Sequence, residues 1–347
     1  MSKYMMISKK LCLLALILAL ISIVTLSGCA SQQIEATDIS DAIISDVESL
    51  ISATQPDIVS ETPEEPDSNI EKVPIQTFLF FACTQAHPAT GDYSALGALF
   101  GGAVEQAGEP ELVLFGGDVI NNGWNPYEWQ DFWQAAAAPL YGLITAAAVG
   151  NHDSHPLFAE QFDFPNTAPA TQDEGFFYSI NTGLVNFLML DSNIMGAANE
   201  RDIQWLRGEL QSEAAQQAAW HIAVMHHPMW TVVDNPRDAR RAEIMREHFL
   251  PLLEAYGVDI ILCGHQHVYA RTTPMHGDKT ADSGIVQFMV ATGGKDTYTP
   301  GQRDYLAVYH RLRSYLVLTA DAYELIIETF DENHNLIDTL ILTNTDD

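Results

Sequence analysis

Asn151, His152 and Asp153 stand together after Gly150, and each could do a different job. An amide oxygen binds a cation without adding charge. An imidazole beside a cation is a natural proton donor. A neighbouring carboxylate could orient that ring. Four other clusters hold groups of the same kinds: Cys83, Gln85 and His87; Asp118 after Gly117; His226-His227-Pro228; and His265-Gln266-His267 after Gly264. A lone histidine is usually a core or surface residue. His265 and His267 are harder to dismiss: alternate residues share a face in an extended chain, and a looped one could send them to two different ions. Mixed imidazole, carboxylate and amide oxygen suit Mn, Fe or Zn better than Mg or Ca. Structural zinc favours several cysteines, and this chain has only Cys12, Cys29, Cys83 and Cys263.

Each cluster follows an apolar run. Residues 78–82, 112–115, 143–149, 221–225 and 258–263 read as buried core strands. Apolar spacing predicts helices over 95–107, 128–138, 202–214 and 239–256. Residues 175–190 read as a hairpin turning at Asn181-Thr182-Gly183. From residue 285 the chain reads as an antiparallel section, with strands over 288–291, 315–319, 325–330 and 336–342. The order is βαβ units with antiparallel strands added, an α/β fold. Polar groups at the carboxyl ends of such strands can converge on one rim of a sheet.

The chain has 347 residues and a net charge of −30. That charge argues against binding a nucleic-acid backbone. Any phosphate-bearing ligand must be attracted locally, by bound cations. Residues 73–347 suffice for one sizeable domain, expected to be a monomer. Ahead of it, Lys3, Lys9 and Lys10 precede an apolar run over 11–26, and Leu26-Ser27-Gly28-Cys29 follows. This resembles a bacterial lipoprotein signal, which implies removal of residues 1–28 and lipid on Cys29. The mature chain would then sit on the cell membrane, outside the cytoplasm. An uncleaved anchor and a plain secretory signal are the alternatives. Residues 29–72 are acidic, proline-punctuated and without aromatics, and read as a flexible tether. Within it, residues 38–51 carry apolar positions at helical spacing. Outside the cytoplasm Cys83 and Cys263 could pair, which the sequence leaves open.

Taken together, Gly117-Asp118 with Gly123, Gly150-Asn151-His152-Asp153, His226-His227-Pro228 and Gly264-His265-Gln266-His267 resemble the calcineurin-like metallophosphoesterase family. The run from His265 through Tyr269 and Arg271 is similar to the purple acid phosphatase branch, as are Phe177-Tyr178-Ser179, Asp191-Ser192 and Gln204-Trp205-Leu206. The resemblance covers residues 78–342. It implies a four-layer α/β/β/α sandwich of two mixed sheets flanked by helices, with two metal ions about 3.5–4 Å apart. It also implies that Asp118 bridges both ions. Asn151, His226 and His265 would complete one shell, and His267 would serve the other ion. A metal-activated hydroxide would attack a phosphate ester, and His152 would protonate or stabilise the leaving oxygen. Asp153 would orient His152.

The first motif departs from the family's Asp-x-His. Cys83 and Gln85 take those two places if the strand ends at Ala82, the preferred alignment; Gln85 and His87 take them if it runs to Thr84. Either way one ion loses its private carboxylate, unless another such as Asp92 supplies it. The expectation is one firm site and one that is weaker or selective for a different metal. A catalytically impaired binding protein of the same fold is the alternative. Residues 119–122 also lack the tyrosine that colours the purple enzymes. Trp124, Tyr127, Trp129 and Trp133 either line a substrate cleft or pack in the core.

Overall fold

The computed structural model describes residues 74–153, 156–162, 176–193 and 200–344. The expected signal, Cys29, the tether and the helix over 38–51 lie outside them. Two mixed sheets form the centre. The first has strand order β15-β14-β13-β1-β2-β3. Its members are β1 (Gln76–Phe81), β2 (Leu112–Phe115), β3 (Ile144–Ala147), β13 (Ser314–Ala320), β14 (Glu324–Asp331) and β15 (Leu336–Thr343). The second runs β12-β8-β11-β7-β6-β5-β4. It is built from β4 (Tyr178–Asn181), β5 (Val185–Leu190), β6 (Trp220–Met225), β7 (Ile260–Cys263), β8 (Tyr269–Thr272), β11 (Val286–Met289) and β12 (Leu306–His310). A two-stranded ribbon, β9 (Met275–His276) with β10 (Lys279–Thr280), stands apart.

Alternation along β1 explains the layering. Phe78 and Phe80 join Phe187, Ile222 and Leu262 in the core between the sheets. Leu79 and Phe81 face outward, where they meet helices α1 (Ser94–Ala107) and α2 (Pro126–Ala136) through Phe100 and Phe132. Residues of successive positions point to opposite faces of a strand, so a strand apolar throughout is covered on both sides. The second sheet's outer face packs against α4 (Glu200–Leu210), α6 (Pro236–His248) and α7 (Leu250–Ala255) through Leu206, Met245 and Leu253. Two short helices, α3 (Pro156–Ala159) and α5 (Glu213–Gln217), complete the described helices. The four-layer α/β/β/α arrangement is the expected one. Tyr269 and Arg271 of β8 both bond the Asp338 carboxylate of β15, at 2.6 Å each, and so clamp one sheet to the other.

Three elements differ from the sequence reading. The long helix expected over 239–256 is two helices, because Pro251 has no N–H to continue the ladder and the chain breaks at Phe249. The helix expected over 202–214 also divides, since Ser212 caps a new turn by accepting from the Ala215 N–H. The run over 288–291 pairs antiparallel with β8 on one side, as expected, but not on the other. It is β11, which pairs in parallel with β7 and places a further carboxyl end on the same rim. Among the aromatic candidates, Trp129 is buried in the core, while Trp124 and Tyr127 are 66% and 73% exposed.

Asp259, at the start of β7, accepts the His221 N–H at 2.9 Å in place of a ladder carbonyl. Burial pushes its carboxyl up to about 6. A folded value above the unfolded one means that its stabilising contribution is present at low pH and lost as pH rises through about 6. Asp259→Asn keeps an acceptor oxygen and removes the buried charge. The variant is expected to gain on the order of 1–2 kcal/mol at pH 7.5 and little near pH 4. Melting curves at both pH values check this; a variant less stable than the parent at pH 7.5 contradicts it.

Candidate metal centre

The carboxyl ends of β1, β2 and β3 from one sheet face those of β6, β7 and β11 from the other, and the polar clusters meet there. Asp118 follows β2 and is buried. Its Oδ2 lies 3.3 Å from His226 Nε2, and its Oδ1 accepts the His152 N–H at 2.8 Å. The Asp118 loop and the Gly150 loop touch so closely that a Cβ on Gly150 would stand 2.1 Å from the Asp118 nitrogen. Only glycine fits at that position.

Each histidine has one ring nitrogen spent on support. The Gly116 carbonyl lies 2.9 Å from His226 Nδ1. A carbonyl only accepts, so His226 carries its proton there and turns the Nε2 lone pair toward Asp118. Asp238 Oδ1 lies 3.0 Å from His265 Nε2, which leaves His265 Nδ1 facing His226 Nε2 at 3.3 Å. Two imidazole lone pairs and a carboxylate oxygen thus converge. Without a cation or a proton between them they repel, and their donor set fits Zn, Fe or Mn. His226, His227 and His265 form one potential ligand group, and Cys83, Asp118 and His226 another. The His265–Asp238 pair is the carboxylate-to-histidine support common around metals. Asp238 was not singled out in the sequence, where residues 230–240 carry no readable code.

The charges answer one another. Burial opposes ionisation of Asp118, but the facing His226 and the His152 contacts outweigh it and hold the carboxyl well below its usual range. Burial likewise disfavours protonated His226, but Asp118 outweighs it and raises its pKa. Burial lowers His265, and it lowers His267 to about 4, so both rings are neutral and available as ligands at pH 7. His267 bonds the Asp296 carbonyl through Nδ1 at 3.1 Å and stacks on Tyr298. Asn151 is exposed at the rim, one residue beyond Gly150.

The expected contact between Asp153 and the His152 ring is replaced by another arrangement. Asp153 is buried, and its carboxylate accepts the N–H groups of Val119 and Gly150 at 2.9 and 3.1 Å. It ties the two ligand loops together. The Asn121 carbonyl orients His152 instead, at 2.6 Å from Nδ1. His152 Nε2 faces the Lys295 ammonium at 3.5 Å.

In the first motif, Cys83 is the residue that meets Asp118 and His226. Its Sγ also accepts the His265 N–H at 3.0 Å. Burial, reinforced by Asp118, pushes the Cys83 thiol up, so without a cation it stays protonated. Gln85 is fully buried, its amide has no hydrogen-bond partner, and it lines a separate cavity of about 320 Å³ with Tyr93, Leu96 and Arg313. His87 is exposed. Asp92 is exposed too, and its carboxylate bonds Ser94 at the start of α1. It supplies no substitute carboxylate to the centre. Cys83 and Cys263 are both free thiols. Four non-glycine residues have positive φ among those described, and three of them are Cys83, Asp118 and His265. Such backbone costs energy and clusters where a side chain must be aimed.

A two-sheet sandwich with carboxylate and imidazole groups gathered on its common rim is the framework of a candidate metal-binding site. Residues 76–269 match the calcineurin-like phosphoesterase family, and the chain belongs to it. It is 25% identical over 189 residues to purple acid phosphatase 15 of Arabidopsis thaliana, which is 52% of this chain and 34% of that one. The chain spans about a third of the length of such curated relatives. In fold it is similar to purple acid phosphatase PPD1 from yellow lupin seeds, with a TM-score of 0.66, 18% identity, and coverage of 78% of this chain and 54% of that one. It is also similar in fold to GAP50, described as the anchor in the inner membrane complex of Plasmodium, with a TM-score of 0.62, 14% identity, and coverage of 78% and 89%.

Asp238 orients His265, a candidate ligand. Asp238→Ala is expected to weaken Zn binding by about 10–100-fold, read by competition with a chromogenic chelator. Unchanged affinity would remove Asp238 from the centre.

Proposed function

We propose that this chain is a metal-dependent hydrolase of phosphate esters, held outside the cytoplasm on the cell membrane by lipid on Cys29. The observation that carries the catalytic reading is the convergence of Asp118 Oδ2, His226 Nε2 and His265 Nδ1 below His152. Asp118, Asn151, His226 and His265 would hold one ion firmly. Cys83 and His267 would face the second, weaker place. Bound Mn, Fe or Zn would supply Lewis-acid charge at the phosphoryl group and a water acidic enough to attack near neutral pH. His152, fixed through Nδ1, would present Nε2 to the leaving oxygen. A proton given there, or hydrogen bonding to the charge that develops, lowers the barrier.

Chromogenic phosphomonoesters and phosphodiesters with added Mn, Fe or Zn should be turned over. His152→Ala should lower kcat by about 10²–10⁴-fold with metal content unchanged. The buried, protonated Cys83 thiol in place of an aspartate supports a second reading, a binding protein that retains the fold. Metal binding with no turnover of any ester selects that reading.

The membrane attachment rests on Leu26-Ser27-Gly28-Cys29 after an apolar run. Among the described residues no helix is long and apolar enough to cross a membrane. Cys29→Ser should move the protein from the membrane fraction to the soluble fraction and abolish incorporation of labelled fatty acid. Persistence of both in the variant rules out the lipid anchor.

A further inference from the structure

We propose that Lys295 supplies the fixed positive charge that the first motif can no longer recruit as a metal ion, and that its ammonium binds a phosphoryl oxygen beside His152. The inference rests on the hydrolase site described above and concerns how that site holds phosphate.

From residue 74 onward the chain has only two lysines, Lys279 and Lys295. Lys279 lies exposed on the β9–β10 ribbon. Lys295 is half-buried in the centre, 3.5 Å from His152 Nε2. Its charge also reaches Cys83 and His267, the two side chains that would flank the weaker ion.

The backbone carrying Lys295 is fixed on both sides of that place. The Thr292, Gly293 and Gly294 N–H groups donate to the carbonyls of Ala82, Cys83 and Gln85 at 2.8, 2.9 and 2.6 Å. A Cβ on Gly293 would stand 2.4 Å from the Gln85 carbonyl oxygen, so the two segments approach this closely because residue 293 is glycine. Further on, the Asp296 carbonyl meets His267 Nδ1, and the Tyr298 N–H donates to the His267 carbonyl at 2.8 Å. Arg313 holds the Gly294 carbonyl from outside at 3.3 Å. Lys295 is therefore clamped between the first motif and His267.

Chemistry agrees with the placement. An ion beside Cys83 and His267 would meet a sulfur where the family has a carboxylate, and the Gln85 amide, turned into a separate cavity, would not replace the second histidine. The nearby ammonium repels a further cation there. A phosphate oxygen still needs a positive charge in a chain of net −30. An ammonium provides that charge without needing carboxylate ligands.

The test uses the whole domain, stripped of metal and then titrated with Zn, with inorganic phosphate as the probe. Wild type should take up one Zn tightly. At one Zn per chain, Lys295→Met should weaken phosphate binding by tenfold or more, and Lys295→Arg should hold it within about threefold. Lys295→Met should also admit a second Zn more tightly than wild type does. Matching circular dichroism spectra and melting temperatures show that the variants fold. Two Zn ions bound by wild type with comparable affinity overturn the proposal. So does a Lys295→Met protein whose phosphate affinity stays within twofold of wild type. Lysine-dependent phosphate binding with no turnover of any ester upholds this inference and sinks only the hydrolase reading.

Discussion

The buried Asp118 carboxylate is the constraint on which the rest depends. It lies at the junction of both sheets, almost out of contact with water. An unpaired charge there would be costly, and the protein would rather neutralise it. His226 at 3.3 Å and the His152 N–H at 2.8 Å prevent that. Three loops must therefore come together, after β2, β3 and β6. The neighbouring glycines, the left-handed backbone of Asp118 itself and the Asp153 carboxylate binding two loops are the means by which they do.

The centre is asymmetric. On one side two histidines are braced from behind, His226 by the Gly116 carbonyl and His265 by Asp238. On the other side stand the Cys83 thiol and the Lys295 ammonium. Both facts concern charge. A site that has lost an anionic ligand holds a cation less firmly. A covalently attached cation needs no such ligand.

Much of the fold was legible because the core strands are short apolar runs bounded by glycine or polar residues. The runs ending at Phe115, Met225 and Cys263 mark strands that end at those residues. Helix interruptions were less legible: Ser212 and Pro251 lie inside otherwise regular apolar spacing. Asp118, His226 and His265 could be recognised as a set because each follows such a run. Lys295 follows one as well, after Val290-Ala291-Thr292-Gly293-Gly294. Its place on the rim is hidden in the sequence, because the run over 288–291 has the pattern of an antiparallel strand. Its parallel pairing with β7 is a long-range contact that local pattern does not encode.

Which groups could bind a cation was legible in the sequence. Residue type and apolar period suffice for that, because both are local properties. Only the tertiary structure decided what each group supports. Asp153 could have oriented the adjacent ring, yet it binds backbone across loops; Asn121 orients the ring; Asp238 braces a histidine from a helix. Such partners are chosen by which strand ends face one another across two sheets, a choice made by packing between segments distant in the chain.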